Sequence, residues 1–265
     1  GLILAVGAPS TNNNTGSVIT YQYVNGNWSQ MGSPLNGESQ NDKFGCSVSL
    51  SSDGLILAVG ANESTKTVNQ ENGYVRIYTF GTNNWVDYGV GNPLRGGTLE
   101  LFGSSVSLSS NGTILAVGAP WTSSSGERGS VYVYKLLNNT WNQLGSTIGG
   151  DSYNLAFGSC VSLSSDGLIL ACGAKGTYTN GYVKIYEYNG QSWVQKGSTI
   201  NGSNDYFGNS LSLSSNGLIL AVGAFKANNF TGYVKVYEFI SGNWGQKGNT
   251  LLGELSGSNF GISVS

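Results

Sequence analysis

A chain of 265 residues with a net charge of −2 has no basic field to draw nucleic acid or an anionic membrane surface. Only 10% of its residues are charged, against about 25% in a typical soluble domain, so its surface is built from Asn, Ser, Thr, Gly and Gln, as suits an extracellular or cell-surface protein. It has no His, which excludes His triads, His metal sites and His acid–base work, and no apolar run of the roughly 18 residues that a membrane span needs.

The chain opens in mid-motif with GLILAVGA (1–8), without an initiator Met or a charged leader, as expected of a piece of a longer or processed product. A GxVxxY run (Gly16–Tyr23) and Trp28 follow. From Phe44-Gly45 onward a unit repeats. Phe-Gly recurs at 102–103, 157–158, 207–208 and 260–261, at intervals of 58, 55, 50 and 53 residues. After each of the first four comes a run such as SVSLSSDGLILAVGA (47–61), then a loop of varying length. Next is a strand-like run, GYVRIYTF (73–80) in the first complete copy, and then a Trp-led run from Trp85, Trp141, Trp193 or Trp244.

Each copy thus holds four β-runs: A (FGxSVSLS), B (LILAVGA), C (GYVxIYxY) and D, from the Trp. Asp53-Gly54, Asn111-Gly112, Asp166-Gly167 and Asn216-Gly217 join A to B, which predicts two-residue type I′ hairpins with both residues at positive φ. That register sets Leu163 opposite Leu170 and Val161 opposite Cys172. Both faces of A and B are small or apolar, so both are expected to be buried, as between blades stacked around an axis. No segment has helical periodicity. The fold class is all-β: a five-bladed β-propeller of four-stranded antiparallel blades, one domain over 1–265. The blades cover approximately 260–265 plus 1–32, 44–89, 102–145, 157–197 and 207–248. The last copy has only run A (260–265), and its B, C and D lie at 2–32, so the C-terminal strand is expected to pair with the N-terminal strand and close the ring.

Phe-Gly followed about fifteen residues later by Gly-Ala-Pro resembles the FG-GAP repeat of integrin α-subunit propellers and related surface proteins. Gly7-Ala8-Pro9 and Gly118-Ala119-Pro120 match in full, while Gly60-Ala61, Gly173-Ala174 and Gly223-Ala224 keep Gly-Ala without Pro. Integrin propellers have seven blades, several with a DxDxDG calcium loop, and this chain has no such loop. The resemblance implies a recognition or adhesion role outside the cell.

The chemistry-bearing residues mostly read as structure. Cys46, Cys160 and Cys172 form no CxxC pair and read as small, unpaired core residues. Glu38, Asp151 and Glu254 share one repeat position, and Asp42 and Asp205 stand two before Phe-Gly; acids recurring blade by blade are expected to hold loop amides. The five repeat Trp residues read as packing between blades. No catalytic residue, metal ligand or cofactor is assigned. What varies is the B–C loop, where a scaffold carries specificity. Trp121, Tyr178, Phe225 and Phe230 stand there, with Tyr153 and Tyr206 in D–A loops on the same face, as ligand-binding candidates for stacking on sugar or protein. Among the seven N-x-S/T sequons, Asn13, Asn62 and Asn229 lie in B–C loops and are the candidate glycan acceptors. The function read from the sequence is a non-catalytic extracellular recognition or adhesion module for a surface glycan or extracellular protein. The alternatives are a structural subunit of a surface layer or appendage, with self-association, and, more remotely, a glycoside hydrolase using paired carboxylates.

Overall fold

The computed structural model describes residues 2–63, 73–97, 100–121, 128–151, 155–176, 180–203 and 205–265. Its strands form five antiparallel sheets, one per repeat. Blade 1 holds β1 (Ile3–Ala8), β2 (Ser17–Val24), β3 (Asn27–Gln30) and β4 (Leu35–Asn36). Blade 2 holds β5 (Ser47–Leu50), β6 (Ile56–Ala61), β7 (Tyr74–Phe80), β8 (Trp85–Asp87) and β9 (Leu94–Arg95). Blade 3 holds β10 (Ser105–Leu108), β11 (Ile114–Ala119), β12 (Ser130–Leu137), β13 (Thr140–Gln143) and β14 (Ile148–Gly149). Blade 4 holds β15 (Phe157–Leu163), β16 (Ile169–Ala174), β17 (Tyr182–Tyr188), β18 (Trp193–Gln195) and β19 (Ile200–Asn201). Blade 5 holds β20 (Ser210–Leu213), β21 (Ile219–Ala224), β22 (Tyr233–Ile240), β23 (Asn243–Gln246) and β24 (Leu251–Leu252).

Runs A to D lie in sequence order across each of blades 2 to 5. The short fifth strand is the tail of run D. In blade 3 both β13 and β14 pair with β12, at Tyr134↔Gln143 and Val131↔Ile148, so one outer strand is broken between them. The break carries Gly145 at φ +76, and a Cβ there would stand 3.0 Å from Trp193 Cδ1 of the next blade. Run D breaks to admit its neighbour's indole.

The expected A–B register holds: Val161 opposes Cys172 and Leu163 opposes Leu170. The turn type does not. Only the glycine is at positive φ (Gly54, +75), and Gly54 N–H donates to Ser51 O at 2.9 Å, which makes Ser51–Gly54 a four-residue turn. Asp53 Oδ1 accepts from Ser51 Oγ at 2.5 Å and from Leu55 N–H at 2.9 Å. Asn111 Oδ1 takes the same two bonds, from Ser109 Oγ and Thr113 N–H. Asp and Asn interchange because either supplies that acceptor, and not because the site needs left-handed backbone.

The core lies between blades. Four apolar clusters fill the four junctions of the five-blade stack. Run B is the filling: Leu57, Ala58 and Val59 are all fully buried. Run A serines bond across the junctions. Ser105 Oγ donates to Gly158 O at 2.9 Å, and Ser107 Oγ accepts Leu163 N–H at 3.0 Å. At the outer edge each indole N–H donates to the preceding blade: Trp141 to Tyr88 O (2.7 Å), Trp193 to Leu144 O (2.9 Å), Trp244 to Lys196 O (2.9 Å). The Phe of Phe-Gly bridges back as well, as in Gly129↔Phe157. Phe44, Phe102, Phe157 and Phe207 are fully buried.

The expected closure does not form. β1 pairs with β2 alone, residues 261–265 form no strand, and Phe260 bridges only to Gly232 of its own neighbour. The glycine and indole contacts set each blade on the next at four junctions, and the first and last faces stay uncovered, with Leu4 and Trp28 exposed on one and Leu251 on the other.

Candidate functional site

The B–C and D–A loops meet at one end of each blade, because the residue opening the B–C loop bonds to the one that stands two before Phe-Gly. Trp121 N–H donates to Glu100 O, Gly176 to Leu155 O and Lys226 to Asp205 O, each at 3.2 Å. The residue before the Phe is left-handed in every copy: Lys43 (φ 54), Leu101 (51), Ala156 (49), Tyr206 (61) and Asn259 (53). Five unlike side chains share that conformation, so neighbouring contacts impose it, and composition gives no sign of it.

The recurrent acids hold this end together. Asp42 Oδ2 accepts Glu38 N–H (2.9 Å), Ser39 N–H (2.8 Å) and the Tyr74 hydroxyl (2.9 Å). Asp205 accepts Phe207 N–H and the Tyr233 hydroxyl. Glu100, at the same repeat position, accepts the Tyr132 hydroxyl and Gly97 N–H. Glu38 pairs with Arg76 (2.9 Å) and Arg95 (2.8 Å), and Asp151 with Lys184 (2.6 Å). The repeating motif is a carboxylate locked to a strand-C tyrosine. The sequence reading marks Asp42 and Asp205 but neither Glu100 nor the tyrosines. Among the described residues no cluster of three or more His, Cys, Asp or Glu is placed to hold a metal ion.

These tyrosines give the fold an alkaline limit. Burial first and the Glu100 charge second push Tyr134 up to about 12; burial and then Asp205 do the same for Tyr237. Burial first, with the partner acids adding, drives Tyr132 and Tyr233 higher. A folded-state pKa above the unfolded value of 10.0 contributes stability that is complete below pH 10 and is lost as pH rises through about 12. The melting temperature is therefore expected to hold to about pH 9.5 and fall beyond it, with Tyr132, Tyr134, Tyr233 and Tyr237 ionising only as the chain unfolds. Ionisation of Tyr134 or Tyr237 near pH 10 in the folded chain, read as the absorbance lost in the Phe variant of each, would contradict this.

The three cysteines are free. Burial pushes the Cys46 and Cys160 thiols up to about 11 and Cys172 well above its ordinary value. None is poised as a nucleophile at neutral pH.

Three of the six aromatic candidates come together, all on blade 5. The Tyr206 and Phe225 rings meet edge to face, with centroids 5.4 Å apart at 69°. Lys226 Nζ lies 3.9 Å from the Tyr206 centroid and 5.6 Å from that of Phe230. Phe230 is exposed and ends a turn of left-handed residues, Asn228 (φ 50), Asn229 (55) and Phe230 (62). For an aromatic residue that backbone is strained. Asn12, Asn13 and Asn14 wind the same turn in blade 1, where no aromatic occupies it. Trp121 is exposed at the matching end of blade 3, two blades away. Tyr153 and Tyr178 lie outside the described residues. Asn13 and Asn229 are exposed, whereas Asn62 is half-buried and donates its Nδ2 to Ser104 Oγ at 3.2 Å.

The FG-GAP repeat family model matches residues 96–134. No curated protein matches the chain. Among solved structures, a Lactobacillus plantarum protein aligns with a TM-score of 0.61 at 12% identity, over 93% of this chain and 66% of its own. A putative 6-phosphogluconolactonase from Bacteroides uniformis gives 0.59 at 11%, over 97% and 84%. The periplasmic gluconolactonase of Pseudomonas aeruginosa gives 0.58 at 16%, over 94% and 67%, and the Dos1 propeller 0.52 at 14%, over 94% and 55%. At such identities the likeness carries fold and no chemistry. The chain is a five-bladed β-propeller that carries the FG-GAP repeat, recognised at residues 96–134.

Proposed function

We propose that this chain is a non-catalytic extracellular recognition module that holds a glycan or a protein at the end of the stack where the B–C and D–A loops meet. The observation that carries this reading is the Tyr206–Phe225–Lys226–Phe230 group. It sets one exposed ring on strained backbone beside a cation and two further rings, amid Asn, Ser and Thr. Aromatic faces stack on the apolar face of a sugar ring, and the surrounding amides and hydroxyls bond its rim. A non-catalytic role agrees with the absence of His and with carboxylates engaged by tyrosines, amides and cations. An extracellular setting agrees with the sparse charge and the FG-GAP repeat.

A glycan array and a cell-binding assay with the intact chain test it. Specific binding is expected, weakened about ten-fold by Phe230→Ala, the loss of one good stacking contact, with the melting temperature unchanged. Blank assays, or binding indifferent to both Phe230→Ala and Trp121→Ala, would sink the reading.

A further inference from the structure

The repeat neutralises its own cations at the loop end of blade 2, and blade 5 lacks the acids that do so. We infer that the junction of blades 4 and 5 is a seat for an anionic glycan, whose carboxylates or sulfates are held by Lys226 and Lys235. This rests on the reading of the loop end as a ligand site and names the class of ligand.

One pair of positions is built alike in blades 2 to 5. The left-handed residue before the Phe stands beside the residue that opens the B–C loop, giving Lys43 and Glu63, Leu101 and Trp121, Ala156 and Gly176, and Tyr206 and Lys226. In each blade the second residue's N–H donates to the carbonyl just before the first. Glu63 donates to Asp42 O at 3.3 Å, and Trp121, Gly176 and Lys226 to Glu100, Leu155 and Asp205 at 3.2 Å. The backbone is constant and the side chains are not. Blade 2 holds an ion pair there, Lys43 Nζ to Glu63 Oε1 at 2.6 Å. Blade 5 holds a cation on a ring, with Lys226 Nζ 3.9 Å from the Tyr206 centroid, and among the described residues no carboxylate meets it. A ring face attracts the ammonium but leaves its N–H donors to an acceptor from outside.

A second position shows the same loss. Arg76, Lys184 and Lys235 occupy one place on run C, opposite Val59, Cys172 and Val222 of run B. Glu38 answers Arg76 at 2.9 Å and Asp151 answers Lys184 at 2.6 Å, each acid coming from the preceding D–A loop. In blade 5 that loop has Ser203 in the acid's place. Lys235 Nζ lies 5.2 Å from the Tyr233 centroid, again with no carboxylate on it among the described residues. Lys226 and Ser203 thus stand where blade 2 has Glu63 and Glu38.

The loops around the two lysines, 174–181, 201–207 and 224–232, hold one acid, Asp205. The Phe207 N–H and the Tyr233 hydroxyl engage it. Val222 and Tyr233 share a sheet face with Lys235 and pack with Ile169 and Val183 of blade 4. The seat is therefore made between two blades inside the stack, away from the terminal faces. Carboxylate or sulfate groups meet ammoniums by charge-assisted hydrogen bonds. The rings of Tyr206 and Phe225 and the Asn, Ser and Thr around them suit the body of a sugar.

Titration calorimetry with oligogalacturonate, its methyl ester and a heparin oligosaccharide tests the inference, the first and third separating carboxylate from sulfate. At least one acidic probe is expected to bind, more weakly as salt rises, and the neutral ester about ten-fold less tightly than its acid. Lys226→Met and Lys235→Met are each expected to weaken the acidic probe about ten-fold, as for a lost hydrogen bond to a charged group, while Lys226→Arg retains it. Lys43→Met removes the same charge from a lysine already paired with Glu63 and is expected to change nothing. Melting temperatures check that each variant folds. Equal losses in Lys43→Met and Lys226→Met would mean that net charge alone is read, and would overturn the inference. Acid and ester bound alike, or polyglutamate bound and neither acidic sugar, would overturn it too. Neutral glycans bound through Phe230 and neither acidic probe would overturn it while leaving the ligand reading in place; blank results with every glycan and cell would sink both.

Discussion

Gly118→Ala is expected to cost about 3 kcal/mol or more. The Cβ would stand 2.0 Å from Gly158 O and 2.2 Å from Ser105 Oγ. Both sites are backbone or locked in the junction, so no flexible tip can swing away. The same approach recurs at Gly60, 2.1 Å from Gly103 O, and at Gly173, 2.1 Å from Gly208 O. The glycine of Gly-Ala is thus the point where one blade's run B touches the next blade's Phe-Gly turn, and the two halves of the motif are contact partners across a junction. Denaturant melts of Gly118→Ala and of Gly149→Ala test this. Gly149 has nothing within 4 Å of an added Cβ, so its change is expected to stay within about 0.5 kcal/mol. Equal losses at both sites would mean that helical or strand propensity, and not the junction, controls the cost.

Trp141→Ala is expected to lose about 3–5 kcal/mol, the range for emptying a buried aromatic site. The ring is 5% exposed, packs edge-on against Tyr88 at 6.3 Å and donates its indole N–H to Tyr88 O at 2.7 Å. Removing it opens a void between blades 2 and 3 and strands a carbonyl. Trp141→Phe separates the terms: it keeps most of the packing and gives up the hydrogen bond, which is worth about 1 kcal/mol. Trp28→Ala is the internal control. Its ring is 50% exposed, so the change is expected to fall below about 1 kcal/mol. Comparable losses at Trp28 and Trp141 would mean that the first blade is not open as described.

The parts legible in the sequence are those that recur in register. Phe-Gly, the Asp/Asn-Gly turns and the blade Trp fixed five blades, their strand order and the pairing of Val161 with Cys172. The turn type was misread because Asn-Gly satisfies two different turns, and the choice lies with the serine two residues earlier, whose hydroxyl supports Asp53 or Asn111. The left-handed residue before each Phe was invisible for a different reason: Lys, Leu, Ala, Tyr and Asn all occupy it, so no residue preference reports it. Closure was expected from chain order, but whether two ends meet depends on the angle between blades, which no residue pattern encodes. At the candidate site the aromatic residues could be named from their departure from the repeat. That Tyr206 and Phe230 share one cation while Phe225 packs on Tyr206, with Trp121 two blades off, required coordinates.

The backward bridge of each Phe has a mechanical consequence. Each Phe-Gly anchor sits against the preceding blade, as Phe157 does on Gly129 and Phe260 on Gly232. Tension applied between the two termini therefore reaches the blades one after another, each shielding the next until its anchor is pulled free. Such a chain should yield under load in successive steps of about one repeat and not in a single rupture, as quasi-one-dimensional stacks do. A molecule held at a surface against flow would then dissipate a sudden pull blade by blade, with the remaining blades still folded.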